Sequence, residues 1–419
     1  MRHYHGKENV FSRNVLTLMT GSSLAQAIPI AISPLLTRIY SPQDFGLFAV
    51  FIAVVALFSA MAGGRYEMAV LLPDSDEDAL NLLALAALLV TGVSIVLLLL
   101  IALFGAQVSA LAPESGLDVW LYWVPPAVFL TAFFNLMTAY GNRRGDYTLI
   151  AQATVLKSII LAAVQIGLGV MKSGAFGLIA GQIVSNFAAT VRMIMRGVDL
   201  KSVDRVSWPS MKRLALSHAN FPKYQVPHVF LNTFSSQLPV YVFSTFFTAS
   251  IVGLYALGTR VVFGPAMIIS ASMAKVFNAE AAALRNTRGD VHALALNLAR
   301  KSALVLAGPF ALFVLFAPEL FSLVFGEVWR EAGVYTQLLS PWLFMVFIVS
   351  MIAYIPNLYG RQRTALRIEI VYSLLRLASL GAGALYGDVY LALTLFSASG
   401  VVMLTFNLFW MLHLTKGAQ

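Results

Sequence analysis

The stretch from Leu35 to Pro73, LLTRIYSPQDFGLFAVFIAVVALFSAMAGGRYEMAVLLP, reads as a membrane hairpin, and a worn copy of it returns near the middle of the chain. That copy is Leu238 to Met267, LPVYVFSTFFTASIVGLYALGTRVVFGPAM. SPQDFGLFAV turns a corner into a helix in the first, and TASIVGLYAL does so in the second, with Gly46-Leu47-Phe48 aligned to Gly253-Leu254-Tyr255. The offset of 207 positions is almost half of 419 residues. A half-chain repeat in a membrane protein implies two similar bundles facing one another across a central space, as transporters are built.

Composition fixes the solvent. Hydrophobic residues make up 59% and charged residues 11%, with a mean hydropathy of +0.79; a soluble domain carries about 25% charged residues. The chain reads as an integral membrane protein, because apolar stretches of roughly 20 residues, enough to cross about 30 Å of hydrocarbon, recur along its length. Cysteine is absent, which excludes disulfides, thiolate metal sites and thiol nucleophiles. The start, MRHYHGKENVFSRN, is polar and basic and leads into an apolar segment without a small-residue cleavage site, so it is read as a first span that is retained.

Twelve transmembrane segments are expected, six in each half. In the first half they run from about Ser12 to Ile39 (interrupted by Pro29 and Pro34), Phe45 to Gly64, Leu80 to Phe104, Val119 to Tyr140, Thr148 to Met171 and Gly177 to Met195. In the second half they run from Val226 to Phe247, Ile251 to Phe277, Leu294 to Phe316, Leu338 to Tyr359, Ile368 to Tyr386 and Tyr390 to Leu414. A basic turn, GNRRGDY, follows the fourth segment, and a short surface helix is expected after Trp208-Pro209. The expected architecture is all-α: two pseudo-symmetric six-helix lobes, residues 1–196 and 224–419, around a central cavity, joined by a cytoplasmic link at 197–223.

Lysine and arginine set the orientation. Assigning each to the nearer end of its segment puts 24 of 28 on the side of the termini, leaving Arg38, Lys172, Arg260 and Arg330 opposite. Both termini are therefore expected in the cytoplasm. The asymmetry also accounts for most of the net charge of +9 without invoking an anionic partner.

Little in the sequence points to catalysis. Asp74, Asp76 and Asp78 have the alternate spacing of a calcium loop, but Ala79 stands where that loop needs glycine and Leu85 where it needs glutamate. The run is better read as an acidic cap on the third segment. The six histidines show no metal-ligand spacing, and no nucleophile elbow or phosphate loop occurs. No cofactor, no enzymatic activity and no nucleic-acid partner is expected.

Charges at membrane depth remain, each costing at least about 2.5–3.5 kcal/mol at the bilayer centre. Arg260, roughly three turns into its segment, is an anion-binding candidate or one half of an ion pair with Glu67 or Glu280. Arg376 is a second deep cation. Arg38 ends the first segment, where snorkelling is easy. Arg65 and Glu67 follow Gly63-Gly64 as a structural pair or a gate. Polar positions on the repeated hairpins (Ser22, Ser23, Gln26, Asn232, Ser235, Ser236, Gln237) face a wet cavity or join helices. Tyr224, Phe230, Phe234, Tyr241, Tyr255 and Phe263 stack on sugar rings or serve packing.

LTRIYSPQDFG, GRYEMAVLLP, GNRRGDY, and VGLYALGTRVVFGPAM followed by AKVFNAEAAA make the chain resemble the Wzx-type polysaccharide flippases, within the multidrug/oligosaccharidyl-lipid/polysaccharide exporter superfamily. The resemblance spans essentially the whole chain. It implies two six-helix lobes forming a V, with the first two segments of each half lining the cavity, in a bacterial inner membrane. It also implies a substrate, an undecaprenyl-pyrophosphate-linked oligosaccharide repeat unit moved from the cytoplasmic to the periplasmic leaflet for surface polysaccharide (O-antigen, capsule or exopolysaccharide) assembly. Membrane lipids and other polysaccharide-assembly membrane proteins are the further partners implied. The substrate-contacting candidates are Arg38, Arg65, Glu67, Arg260 and Arg376. Three rivals stand beside this reading: a cation-coupled drug antiporter of the same superfamily, which would place acids deep in the lobes; a membrane-embedded polymerase or glycosyltransferase, which would need a larger extramembrane loop than Ala317 to Thr336; and a passive scaffold, which leaves the cost of Arg260 and Arg376 without a return.

Overall fold

The computed structural model describes residues 21, 23–110, 120–197, 204–287 and 289–416, and their regular structure is entirely helical. In chain order the helices are α1 (Ser23–Ile39), α2 (Pro42–Ala62), α3 (Tyr66–Ala69), α4 (Asp76–Ala110), α5 (Val124–Arg144), α6 (Tyr147–Val170) and α7 (Ala175–Gly197). They continue with α8 (Trp208–Ser217), α9 (Val226–Phe246), α10 (Ala249–Asn286), α11 (Val291–Phe325), α12 (Arg330–Met351), α13 (Ile355–Leu358), α14 (Gln362–Leu385) and α15 (Val389–Lys416). Among the described residues, ten helical stretches are long and apolar enough to cross a membrane. This is the all-α membrane fold expected. The described part of α1 is a shorter apolar helix, and its expected beginning, with Ser22, lies outside the described residues.

The described residues group into two compact units: one within Met1–Ser244 with Thr248–Ser250, the other Thr245–Phe247 with Ile251–Gln419. In the first, the corner SPQD is a capping box. Ser41 Oγ accepts from the Asp44 N–H at 3.2 Å while the Asp44 carboxylate accepts from the Ser41 N–H at 2.9 Å, with Pro42 preset for the first turn. The prolines of α1 interrupt it at Ile32, and there the Ser33 hydroxyl donates to the Pro29 carbonyl at 2.7 Å. Tyr40 ties α1 to α6, donating from its hydroxyl to the Gln165 carbonyl at 2.6 Å. A buried apolar cluster including Leu82, Leu83, Leu136, Met137, Ile150 and Met193 joins α4, α5, α6 and α7.

In the second unit the core is organised by Trp342. Its indole N–H donates to the Tyr372 hydroxyl at 2.8 Å, and its ring lies edge-on to Phe396, 4.9 Å between centroids. Small residues let the helices approach, as membrane helices without a hydrophobic drive between them require. A Cβ added to Gly383 of α14 would fall on the backbone of Ala392 in α15.

Several helices outrun their expected bounds. α4, α10 and α11 have 35, 38 and 35 residues, and at 1.5 Å per residue each is longer than the ~30 Å hydrocarbon layer. At α10 the addition after Phe277, NAEAAALRN, is polar or small helix formers that prolong a helix into water as readily as into lipid, while α11 gains the largely apolar APELFSLVF after Phe316. GNRRGDY is only partly a turn. Gly141 to Arg144 complete α5, where two arginines complement the negative helix end, and the chain turns at Gly145 with φ +72. α12 starts eight residues before Leu338 and ends at Met351, with Pro356 opening the separate α13. The surface helix after Trp208-Pro209 is α8, capped by Ser207.

Gly383→Val should lower the thermal midpoint of the purified protein in detergent, because overpacking at a backbone contact costs about 1–3 kcal/mol. Gly381, with open space where a Cβ would stand, is the control, and Gly381→Ala should leave the midpoint within a degree or two.

Candidate functional site

The link after α2 reverses on two left-handed residues, Gly64 at φ +61 and Arg65 at φ 63. Glycine takes that conformation freely; an arginine there stores about 1–3 kcal/mol, a cost met where the surroundings fix the side chain. Here they do. Arg65 Nη1 donates to Glu67 Oε1 at 3.0 Å, with the two side chains 18% and 15% exposed. Arg65 Nε is buried without a hydrogen-bond partner. The pair lines a recess of about 290 Å³ with Ser59, Asn135, Thr138 and Asn142. Gly63 leaves room beside it, since a Cβ there would stand 3.0 Å from Glu67 Oε2. Burial pushes the Glu67 carboxyl above its ordinary range, opposed by a backbone hydrogen bond and by Arg65.

Arg143 holds this corner from below. Its side chain, 12% exposed, donates to the carbonyls of Val70, Pro73 and Ser75 and to Asp76 Oδ1. The acidic run is thereby divided: Asp76 serves Arg143, Asp78 pairs with Arg213 of α8 at 2.6 Å, and all three acids of Asp76-Glu77-Asp78 occupy the first turn of α4. A guanidinium that collects three carbonyls organises a link that has no helix of its own.

The other candidates lie on different helices. Arg38 occupies the last turn of α1 with an exposed side chain. Arg260 is half-buried, 11 residues into α10 or ~16 Å along its axis. Arg376 is 14 residues into α14, ~21 Å from its start, deeper than expected because α14 begins at Gln362. Its guanidinium lies 3.7 Å from the Tyr372 ring centroid and 3.9 Å from Glu369, and its Nε is buried without a partner. Stacking and a loose ion pair leave part of that donor fork uncommitted. Arg65 and Glu67 are brought together; Arg260 and Arg376 belong to the second unit, Arg38 to the first.

One deep cation escaped sequence reasoning as a candidate. Lys157 sits 10 residues into the 24-residue α6, ~15 Å from its start and near the helix's middle, with Nζ 4.8 Å from the Phe134 ring centroid. Among the described residues no acid pairs with it. Counting it toward the nearer end for topology concealed a signal that its distance from both ends of the segment already held.

The aromatic candidates divide by role. Phe230, Phe234 and Tyr241 form a ladder on α9, with centroids 6.0 and 5.3 Å apart and planes within 23°. Tyr255 is buried, and Phe263 stacks on Trp342. The helix bearing the ladder also exposes Asn232 and Ser236.

A family model described as polysaccharide biosynthesis protein matches residues 35–334. The succinoglycan biosynthesis transport protein ExoT of Rhizobium meliloti (strain 1021) is 25% identical over 366 residues, 85% of this chain and 70% of that protein. Among solved structures, the lipid II flippase MurJ in an inward closed conformation aligns with a TM-score of 0.68 at 11% identity, covering 97% of this chain and 90% of that one. An inward-facing multidrug resistance MATE transporter of the MOP superfamily aligns with a TM-score of 0.66 at 13% identity, covering 96% and 95%. At such identities the structures establish a shared fold and nothing finer.

A carboxyl raised above 4.5 in the folded state binds its proton there more tightly than in the unfolded chain. Stability from Glu67 is therefore present below the unfolded value and lost as pH rises through the folded one. Glu67→Gln, which imitates the protonated acid, should flatten this decline: the midpoint difference between variant and native chain should grow in the variant's favour as pH rises from 4.5.

Proposed function

The chain belongs to the polysaccharide biosynthesis protein family, and from that premise we propose that it is a flippase for an undecaprenyl-pyrophosphate-linked oligosaccharide repeat unit. It moves the unit from the cytoplasmic to the periplasmic leaflet of a bacterial inner membrane by alternating access, with both termini cytoplasmic and residues 1–196 and 224–419 as the moving lobes. No bond is made or broken; the protein replaces water around a head group that hydrocarbon rejects. Moving a pyrophosphate and several hydroxyls into an apolar medium costs many kcal/mol unless each group finds a partner.

The observation that supports this reading is the sign of the charge inside the spans. Lys157, Arg260 and Arg376 stand well inside α6, α10 and α14, where a cation without a task would be selected against. Guanidinium forks match phosphate oxygens in pairs, and an ammonium adds a compact charge. The ladder of Phe230, Phe234 and Tyr241 offers the flat apolar faces on which sugar rings stack. Arg38, Arg65 and Glu67 join them as substrate contacts or, for the Arg65 and Glu67 pair, as a gate.

The antiporter reading shares the fold. It calls for a carboxylate deep in a span, and Glu369 is 52% exposed and set against Arg376. The relative's name, a succinoglycan biosynthesis transport protein, favours a polysaccharide precursor over a drug.

The test is leaflet exposure of a short-chain polyprenyl-pyrophosphate oligosaccharide in proteoliposomes, read with a membrane-impermeant sugar-modifying reagent. The native chain should move it, and Arg260→Ala and Lys157→Met should each slow movement by about tenfold or more, the loss of one charge-assisted contact being worth roughly 1.5–3 kcal/mol. Failure to move any pyrophosphate-linked glycan, with proton exchange for a cationic drug instead, would transfer the chain to the antiporters.

A further inference from the structure

At the start of α6 and the end of α7 lies a second, open cleft, of about 490 Å³, lined by Asp146, Thr148, Gln152, Arg192 and Arg196. Arg192 and Arg196 lie one turn apart on the same face of α7, an arrangement of like charges that disfavours itself unless an anion sits between them. Arg192 is oriented by Gln152, whose Oε1 accepts from Nη2 at 2.6 Å. Among the described residues neither arginine is in an ion pair. The acid in the cleft, Asp146, is already engaged by Arg144 Nε at 3.4 Å, and Arg144 in turn donates to the Gly197 carbonyl. The balance of the cleft is therefore positive.

What surrounds the cleft decides its ligand. Val184, Phe187, Val191 and Met195 form an apolar stripe on the neighbouring face of α7, about a third of a turn round from the arginines, and Val184, Phe187 and Met195 are exposed, Met195 to 75%. An exposed apolar stripe on a span meets acyl chains. Arg192 and Arg196 fall within ~8 Å of the end of α7 at Gly197, the depth of lipid phosphates when the span fills the hydrocarbon layer. We propose that this cleft binds the phosphate of an anionic phospholipid from the surrounding bilayer, with its acyl chains along the α7 stripe. Basic pockets between spans at the cytoplasmic surface recognise lipid head groups in this way. The site is separate from the cations proposed to contact substrate, so it makes a lipid a resident ligand of the first unit.

The experiment uses delipidated full-length protein in detergent and native mass spectrometry with phosphatidylglycerol as the probe. Phosphatidylcholine serves as the lipid with a phosphate but no net charge. The native chain should retain phosphatidylglycerol in preference. Arg192→Ala with Arg196→Ala should weaken that retention roughly tenfold or more. Arg213→Ala, whose arginine pairs with Asp78 outside the cleft, should not. Because Arg192 also braces Gln152, a second variant decides if the first fails to fold: Thr148→Glu puts a carboxylate into the cleft and leaves both arginines in place, and it should release the lipid as well. Unchanged retention in a folded double variant or in Thr148→Glu would overturn the proposal. So would displacement of phosphatidylglycerol from the native chain by equimolar undecaprenyl pyrophosphate with the same variant sensitivity, which would give the cleft to the substrate. Either result leaves the transport reading standing, since that reading rests on Lys157, Arg260 and Arg376.

Discussion

Hydrocarbon supplies no hydrogen bonds, and this protein is arranged around that deficit. At several breaks and links a polar side chain takes up what the backbone gives away. Ser33 turns to the Pro29 carbonyl where α1 breaks, and Tyr40 reaches the Gln165 carbonyl of α6. Arg143 gathers three carbonyls of the one link, 70–75, that lies between α3 and α4. In water these groups would be solvated at little cost; beside lipid each unpaired one costs several kcal/mol. The polar side chains are thus part of the fold and not ornaments on it.

The same deficit gives the intramembrane cations their meaning. A guanidinium that only had to reach water would lie near a helix end, as Arg38 does. Arg376 instead sits on a tyrosine face with an unpartnered Nε, and Lys157 rests on Phe134. Aromatic faces stabilise a cation without neutralising it. Lys157 has no acid against it among the described residues, and Arg376 has only the loose pair with Glu369 at 3.9 Å beside its tyrosine. Arg65 and Glu67 show a tighter arrangement, a closed pair at 3.0 Å in a strained turn.

Packing follows from lipid being as apolar as leucine. With no hydrophobic gain in bringing two spans together, contact depends on close approach, and the chain places small residues where approach is closest, at Gly383 against Ala392 and Gly400 against Trp342. The long outward faces of α4, α11 and α14 remain leucine-rich and exposed. On α7 the exposed apolar stripe runs beside Arg192 and Arg196 near the helix end.

The sequence by itself determined the solvent, the helical class, the order of the spans and the family resemblance, because hydropathy over 20 residues and the spacing of lysine and arginine are local properties of the chain. It also made legible the corner into a helix at SPQD and the acidic first turn in DSDED. Helix ends were legible only roughly: nothing local separates AEAAALRN in water from a span in lipid, so α10 ran on to Asn286. The tertiary structure alone decided which charges are committed. It closed Arg65 on Glu67, assigned Arg143 to carbonyls, stacked Arg376 on Tyr372 with a loose pair to Glu369, and set Arg192 and Arg196 on the rim of a cleft. Whether a charge is paired depends on what other helices bring within about 4 Å of it, and a one-dimensional sequence has no term for that distance.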